Sequence, residues 1–237
     1  MVFLYTMGSK KIVVLTGAGI SAESGLRTFR DAGGLWEGYD VMEVASIDGW
    51  RRNPALVLDF YNQRRKQAKS AKPNAGHVAL AQLEEEFDVT IVTQNVDTLH
   101  EQAGSTNVIH LHGNLFQSKS SVDDSLIYDI GEQEINLGDK CEKGSQLRPN
   151  IVWFGEMVPM MEVAARIASG SDIFMVVGTS LAVYPAASLI DFVNPEAPKY
   201  IIDPKIPDLY GTHYHSFEEV ASSGVVKAIQ HLKDNMT

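Results

Sequence analysis

The residues best suited to chemistry lie at the ends of short apolar runs. Gly17-Ala18-Gly19-Ile20-Ser21-Ala22 follows the run Lys11–Thr16 and matches the pattern G-x-G-x-x-A. Glycines at these positions allow a tight turn and a close backbone approach, so amides and a helix N-terminus can face a pyrophosphate. A purely structural strand-to-helix turn can carry the same glycines, so the motif alone does not decide. The acid that ordinarily holds a ribose about 20 residues further on, at the end of a second strand, is missing. Asp31 and Asp40 fall in Gly-rich or irregular sequence instead, and no Tyr has a Lys four residues later to serve hydride transfer. A nucleotide bound here would be put to a different use.

Three further groups stand out. Gln94, Asn95 and Asp97 follow the run Asp88–Thr93. Their amides and carboxylate suit ribose hydroxyls and an amide, which need both donors and acceptors, although Asn and Asp are also ordinary turn residues. His112, with Gly113 beside it, ends the short run Asn107–Leu111. A neutral imidazole is a base near pH 7, yet a lone His at a strand end is more often structural. His110, one pleat away, is read as structural. Tyr61 and Arg64 are three residues apart on an expected helix and so share a face. Since Arg64, Arg65 and Lys66 are consecutive, a solvated basic patch is the plainer alternative.

The elements that must position these residues form a regular pattern. Lys11–Thr16, Asp88–Thr93, Asp172–Val177 and Lys199–Ile202 are nearly continuous apolar runs, and Asn107–Leu111 is a fifth. Such runs are expected of parallel strands buried on both faces. Helical patterns such as His77–Phe87 separate them, which predicts an α/β fold: a doubly wound, Rossmann-like parallel sheet with ligands at the carboxyl ends of the strands. Residues 31–73 read as mostly helical, with Pro54 opening a helix. Residues 116–148 are polar and turn-rich, with β-like pieces at Ser125–Tyr128 and Glu134–Leu137. These two insertions are expected to form a small module beside a nucleotide-binding domain made of 1–30, 74–115 and 149–237.

The chain has 237 residues, of which 44% are hydrophobic, with a net charge of −10, so a nucleic-acid or anionic-membrane partner is not expected. A single cysteine, Cys141, excludes an internal disulfide framework and fits a reducing compartment. With no basic residue ahead of the short apolar N-terminal run and no membrane-length apolar stretch, a cytoplasmic protein without signal peptide is expected.

Taken in order, Gly17–Gly25, Arg27-Thr-Phe-Arg30, Gly34-Leu-Trp36, Thr93–Asp97, His110-Leu-His-Gly113, Val152-Trp-Phe-Gly-Glu156 and Gly178-Thr-Ser180 resemble the sirtuin family of NAD-dependent protein lysine deacylases. The likeness runs from about Lys11 to the C-terminal helix and is greatest to bacterial CobB-type enzymes. The resemblance implies that NAD is a co-substrate, giving nicotinamide, O-acyl-ADP-ribose and free lysine. It implies His112 as catalytic base, with Asn95 and Asp97 beside it. It assigns NAD contacts to Gly17, Ala18, Gly19, Ser21, Ala22, Gln94, Asn95, Asp97, Gly178, Thr179, Ser180 and Ala221, and to Phe29 and Arg30 on a closing loop. Val152, Phe154, Gly155 and Glu156 match the segment that pairs with an acyl-lysine peptide as an added strand; Trp153 can equally be core. Tyr61 and Arg64 match the pair that marks removal of succinyl and malonyl groups, with acetyl removal retained. A guanidinium binds a terminal carboxylate through two charge-assisted hydrogen bonds. A non-catalytic NAD or ADP-ribose binder and a protein ADP-ribosyltransferase are the alternatives.

The sequence departs from the family in two places. Four zinc-binding cysteines are usual in the small module; here Cys141 stands alone, with Ser120 and Gly144 near other ligand positions, so no zinc is expected. Either packing of Leu126, Ile127, Tyr128, Ile135 and Leu137 then holds the module, or the module is shortened and mobile. An Asn usual near Ile201 is also missing, and Asp203 is a neighbour that could replace it.

Overall fold

The computed structural model describes residues 9–26, 35–207 and 214–236. Its frame is a six-stranded sheet of β1 (Lys11–Thr16), β4 (Asp88–Thr93), β5 (Val108–His110), β9 (Ile173–Val177), β10 (Lys199–Ile202) and β11 (Tyr214–Phe217), in the order β11-β10-β9-β1-β4-β5. Every pairing in it is parallel. The continuous apolar runs follow from burial on both faces. Ile12 and Val14 of β1 pack with α5 (Ala75–Leu83) and α8 (Ala221–Asp234). Val13 and Leu15 point the other way, towards α7 (Met161–Ser169) and a 3-10 helix, Ala186–Phe192. The edge strand β11 was not among the expected ones. Tyr-His-Ser-Phe is half-exposed and lacks an apolar run.

Chain order explains where a ligand can enter. From β1 the chain moves outwards through β4 and β5, then returns to β9 on the other side of β1. The crossovers therefore diverge between β1 and β9, opening a crevice at the carboxyl ends of those strands.

The insertions build a second layer. A short hairpin, β2 (Leu35–Trp36) and β3 (Tyr39–Asp40), leads into α2 (Val41–Val44), α3 (Ile47–Arg52) and α4 (Pro54–Ser70). Pro54 sits in the first turn of α4, as expected, and Asn53 caps it by accepting from the Leu56 amide. Residues 113–151 form a three-stranded antiparallel sheet with β6 (Gly113–Ser120) between β7 (Ile127–Asp129) and β8 (Leu147–Ile151). Within this second layer lies a third core, in which Val57, Phe60 and Tyr61 of α4 meet Leu115, Ile151 and Trp153.

The small sheet is not held as anticipated. Glu134–Leu137 is a loop, and of the five apolar residues assigned to packing, Ile127 and Leu137 are exposed and only Ile135 is buried. Polar groups take over. Arg65 of α4 is buried and donates to the carbonyls of Leu115 (2.7 Å) and Gln133 (3.1 Å). Asn62 forms a two-way pair with the Ile135 main chain. Cys141 lies 3.4 Å from Ser120 Oγ and 3.1 Å from Ser145 Oγ, and these hydroxyls are 2.9 Å apart. Hydrogen bonds thus tie together the segments that carry Ser120, Cys141 and Ser145. Bonding to Ser120 and Ser145 brings the Cys141 thiol down to about 7. Among the described residues no group of three His, Cys, Asp or Glu could hold a metal ion, and no helix is long and apolar enough to cross a membrane.

Candidate active site

At the crevice, two glycine turns lock together. Gly17 N–H donates to the Val177 carbonyl (3.0 Å) and Gly19 N–H to the Gly178 carbonyl (2.8 Å). A Cβ on Gly19 would stand 2.6 Å from Gly178 Cα, and one on Gly17 2.7 Å from Thr179 Cβ. Only glycine allows this approach, and Gly178 itself holds φ +65°. These turns line a cavity of about 580 Å³, which also borders Ala18, Ser21, Ala22, Gln94, Asn95, Asp97, His112, Thr179 and Ser180. Ala221 is buried where α8 begins, and its neighbour Val220 reaches the cavity in its place. Phe29 and Arg30 lie outside the described residues.

The polar wall at the end of β4 is built by mutual constraint. Asn95 Nδ2 donates to the Gly17 carbonyl (3.1 Å) and to Ser21 Oγ (3.1 Å). Both amide hydrogens are used there, so Oδ1 is the group left to accept from a ligand. Asp97 accepts from Ser21 Oγ (3.0 Å) and the Leu99 amide (3.0 Å). Burial nevertheless holds its carboxyl above the usual range. Gln94 Nε2 reaches Thr179 Oγ1 (3.2 Å), bridging the ends of β4 and β9.

The two histidines of His110-Leu-His112 are driven apart in charge. His112 Nδ1 lies 3.0 Å from the Gln94 carbonyl. A carbonyl only accepts, so Nδ1 carries the hydrogen and Nε2 of the neutral ring keeps its lone pair. Burial lowers the His112 pKa, with the Gln94 bond opposing, so the ring is neutral at pH 7. His110 Nδ1 meets the Asn95 carbonyl (3.0 Å) and Nε2 meets Glu101 Oε1 (2.7 Å). Burial would depress this ring too, but the Glu101 bond and charge outweigh it and raise the pKa. One imidazole is poised as a base and the other is held as a cation in an ion pair.

Val152, Phe154, Gly155 and Glu156 border the cavity, but their segment is not an open strand edge. The Val152 amide donates to His112 O, and Phe154 exchanges two bonds with Ala45 O and Ile47 N. The Trp153 amide donates to Glu156 Oε2 (2.8 Å), and Glu156 is gripped by both Arg148 Nη atoms at 2.6 and 2.9 Å. Burial would raise the Glu156 carboxyl, but Arg148 prevails and its pKa falls. Trp153 is core: it is buried under the Arg148 guanidinium, 3.4 Å from its ring, and donates to Tyr61 Oη (3.0 Å). Val183 and Tyr184, which the motifs did not single out, border the same cavity and are exposed.

Tyr61 and Arg64 both border the cavity, and both are buried, so the solvated-patch alternative for Arg64 fails. Burial holds the Tyr61 phenol well above its ordinary range, so it stays a neutral hydroxyl that can donate while accepting from Trp153. Arg64 Nη1 is paired with Glu37 Oε1 at 2.6 Å. Asp203 is buried beside the cavity, near the crevice end of β10.

Fold and crevice define a class: a doubly wound dinucleotide-binding protein whose cavity carries a neutral imidazole and a buried guanidinium. The chain belongs to the Sir2 family, whose model matches residues 17–185. An NAD-dependent protein deacylase of Helicobacter pylori strain J99 is 56% identical over 83% of this chain and 83% of its own length. One of Bacteroides thetaiotaomicron is 52% identical over 94% of this chain and 97% of its own. Among solved structures, a Sir2 homologue in complex with NAD superposes with a TM-score of 0.85 at 38% identity, covering 97% of this chain and 91% of that one.

Proposed function

We propose that this chain removes acyl groups from protein lysines with NAD as co-substrate. The observation that carries the reading is His112: Nδ1 is committed to the Gln94 carbonyl and the ring is kept neutral, so Nε2 is an acceptor on a residue bordering the crevice. The residues fit a dinucleotide. Gly17 and Gly19 border the cavity in a turn whose close packing on Gly178 and Thr179 needs glycine, Asn95 keeps an acceptor, and Thr179 and Ser180 add hydroxyls. When bound, NAD would supply an anomeric carbon on which the acyl carbonyl oxygen replaces nicotinamide, and a ribose hydroxyl together with one water would then release free lysine and O-acyl-ADP-ribose.

The chain's own groups divide the remaining work. His112 Nε2 takes the proton of a ribose hydroxyl, a poor nucleophile until that proton is gone. Asn95, Asp97 and Gln94 hold the nicotinamide ribose and carboxamide. Gly155 and the Val152 carbonyl, with Phe154 beside them, receive the peptide main chain, and main-chain recognition gives weak sequence preference. Tyr61 and Arg64 face the far end of the acyl chain, which admits succinyl and malonyl as well as acetyl groups.

The test is incubation with NAD and matched acetyl- and succinyl-lysine peptides, following nicotinamide and peptide mass together. One nicotinamide released per acyl group lost supports the reading, with turnover abolished in His112→Ala while NAD still binds. A peptide that gains the mass of ADP-ribose would identify a transferase instead. Binding of NAD with neither product would identify a sensor.

A further inference from the structure

Arg64 does not stand ready for a ligand. Its Nη1 is 2.6 Å from Glu37 Oε1, and the two side chains are only 8% and 17% exposed. A pair this sheltered is screened little by solvent, so the charge of Arg64 is already countered before any acyl chain arrives. The guanidinium is still incompletely used, because its Nε is buried without a hydrogen-bond partner among the described residues. A planar guanidinium with a buried unused donor can accept a second carboxylate, provided the first gives way.

Glu37 occupies an unusual position for a side chain. Glu37 and Gly38 are the two turn residues between β2 and β3, with φ of +53° and +87°. Such turns favour Asn, Asp or Gly at both places, and a long side chain at positive φ is uncommon. The hairpin thus carries Glu37 against its local preference and directs the carboxylate at Arg64.

There is also space for the carboxylate to move. Glu37 borders a second, polar cavity of about 270 Å³ shared with Gln67, Ser24 and Ser70. Gln67 borders the large cavity as well, next to Arg64. An amide and two hydroxyls can solvate a carboxylate displaced from the guanidinium.

We infer that Glu37 sets the acyl preference by acting as the resident counter-ion of Arg64. This rests on the reading of Tyr61 and Arg64 as the far wall of the acyl pocket. An uncharged acyl chain leaves the Arg64–Glu37 pair intact. A chain ending in a carboxylate must displace Glu37 from Arg64, or endure its repulsion, and so loses part of the affinity Arg64 would otherwise give. Glu37 is a specificity-determining residue and takes no part in the chemistry.

The test is the ratio of kcat/KM for a succinyl-lysine peptide to that for the matched acetyl-lysine peptide, in Glu37→Gln, Arg64→Met and the double variant. Glu37→Gln keeps a hydrogen bond to Arg64 but removes the charge, and it should raise the ratio about tenfold, the scale of one charged hydrogen bond. Arg64→Met should lower the ratio, and Glu37→Gln added to it should change nothing further, because the competed group is gone. If Arg64→Met lowers the ratio while Glu37→Gln lowers it or leaves it unmoved, the counter-ion role is overturned and the pocket reading survives. If Arg64→Met leaves the ratio unmoved, the pocket reading falls and this inference falls with it.

Discussion

Lowering the pH should destabilise this protein through two histidines beneath the crevice. His77 of α5 and His100 of α6 (Leu99–Ala103) are buried, their rings 4.9 Å apart. The Asn74 amide donates to His77 Nδ1 (3.4 Å), and His100 Nε2 lies 3.1 Å from Thr16 Oγ1. His77 Nε2 and His100 Nδ1 have no hydrogen-bond partner among the described residues, so neither ring is equipped to carry a second proton. Burial lowers His77 to about 4, and burial with the neighbouring His77 and His110 lowers His100 to about 3. Both values lie below the ordinary 6.5, so the contribution to stability is complete above pH 6.5 and is lost as the pH falls towards 4. At pH 5 the unfolded chain has taken up both protons and the folded chain neither. Each site then costs about 2 kcal/mol and the pair roughly 4 kcal/mol, a large part of a typical folding free energy.

The assay is urea unfolding between pH 7 and pH 5, followed by the fluorescence of Trp36, Trp50 and Trp153, in the wild-type chain and in His77→Leu. The slope of stability against pH is the readout, so a uniform loss in the variant does not interfere. His77→Leu should abolish about half of the fall; an unchanged slope would refute the argument. The pair also matters for function. Thr16 Oγ1 donates to Thr93 Oγ1, which accepts from the Asn95 amide, so His100 supports the Asn95 backbone through two hydroxyls.

Three further outcomes follow from the geometry. The acid limb of kcat/KM should have its midpoint below pH 6.5, because burial lowers His112 and the reaction needs its neutral ring; a midpoint above 6.5 would contradict the assignment. Gly19→Ala pushes a methyl group into Gly178, so it should destabilise the fold by about 1–3 kcal/mol and raise KM for NAD. An unchanged melting temperature and KM would show that the glycine turns have slack. Dialysis against a chelator should leave melting temperature and turnover unaltered, since Ser120 and Ser145 bond Cys141 where a metal would need ligands. A fall in either would reveal a structural metal.

Much of the framework was legible along the chain. The four longer apolar runs recur as β1, β4, β9 and β10, because a strand covered on both faces needs apolar residues at successive positions. The glycines of the first turn and the polar residues after β4 fall where that frame puts the crevice. Strand β11 escaped notice because an edge strand leaves half its side chains to solvent and loses the periodic signal.

Tertiary structure alone decided how charges and donors were shared. The sequence by itself paired Arg64 with Tyr61 but left open whether Arg64 belonged to a solvated basic run, and it assigned Arg65 no role. In the fold one is buried against backbone carbonyls and the other beside the cavity, paired with Glu37 from a distant hairpin. It separated His112 as a base from His110 as structural, but not the partners, Gln94 and Glu101, that set their charges oppositely. It located Cys141 and Ser120 but not Ser145 as the partner that closes their cluster. Apolar periodicity is a local property, carried by the spacing of residues a few positions apart. Pairing of polar groups depends on which chain segments meet and how much water they exclude, and only the packed structure determines that.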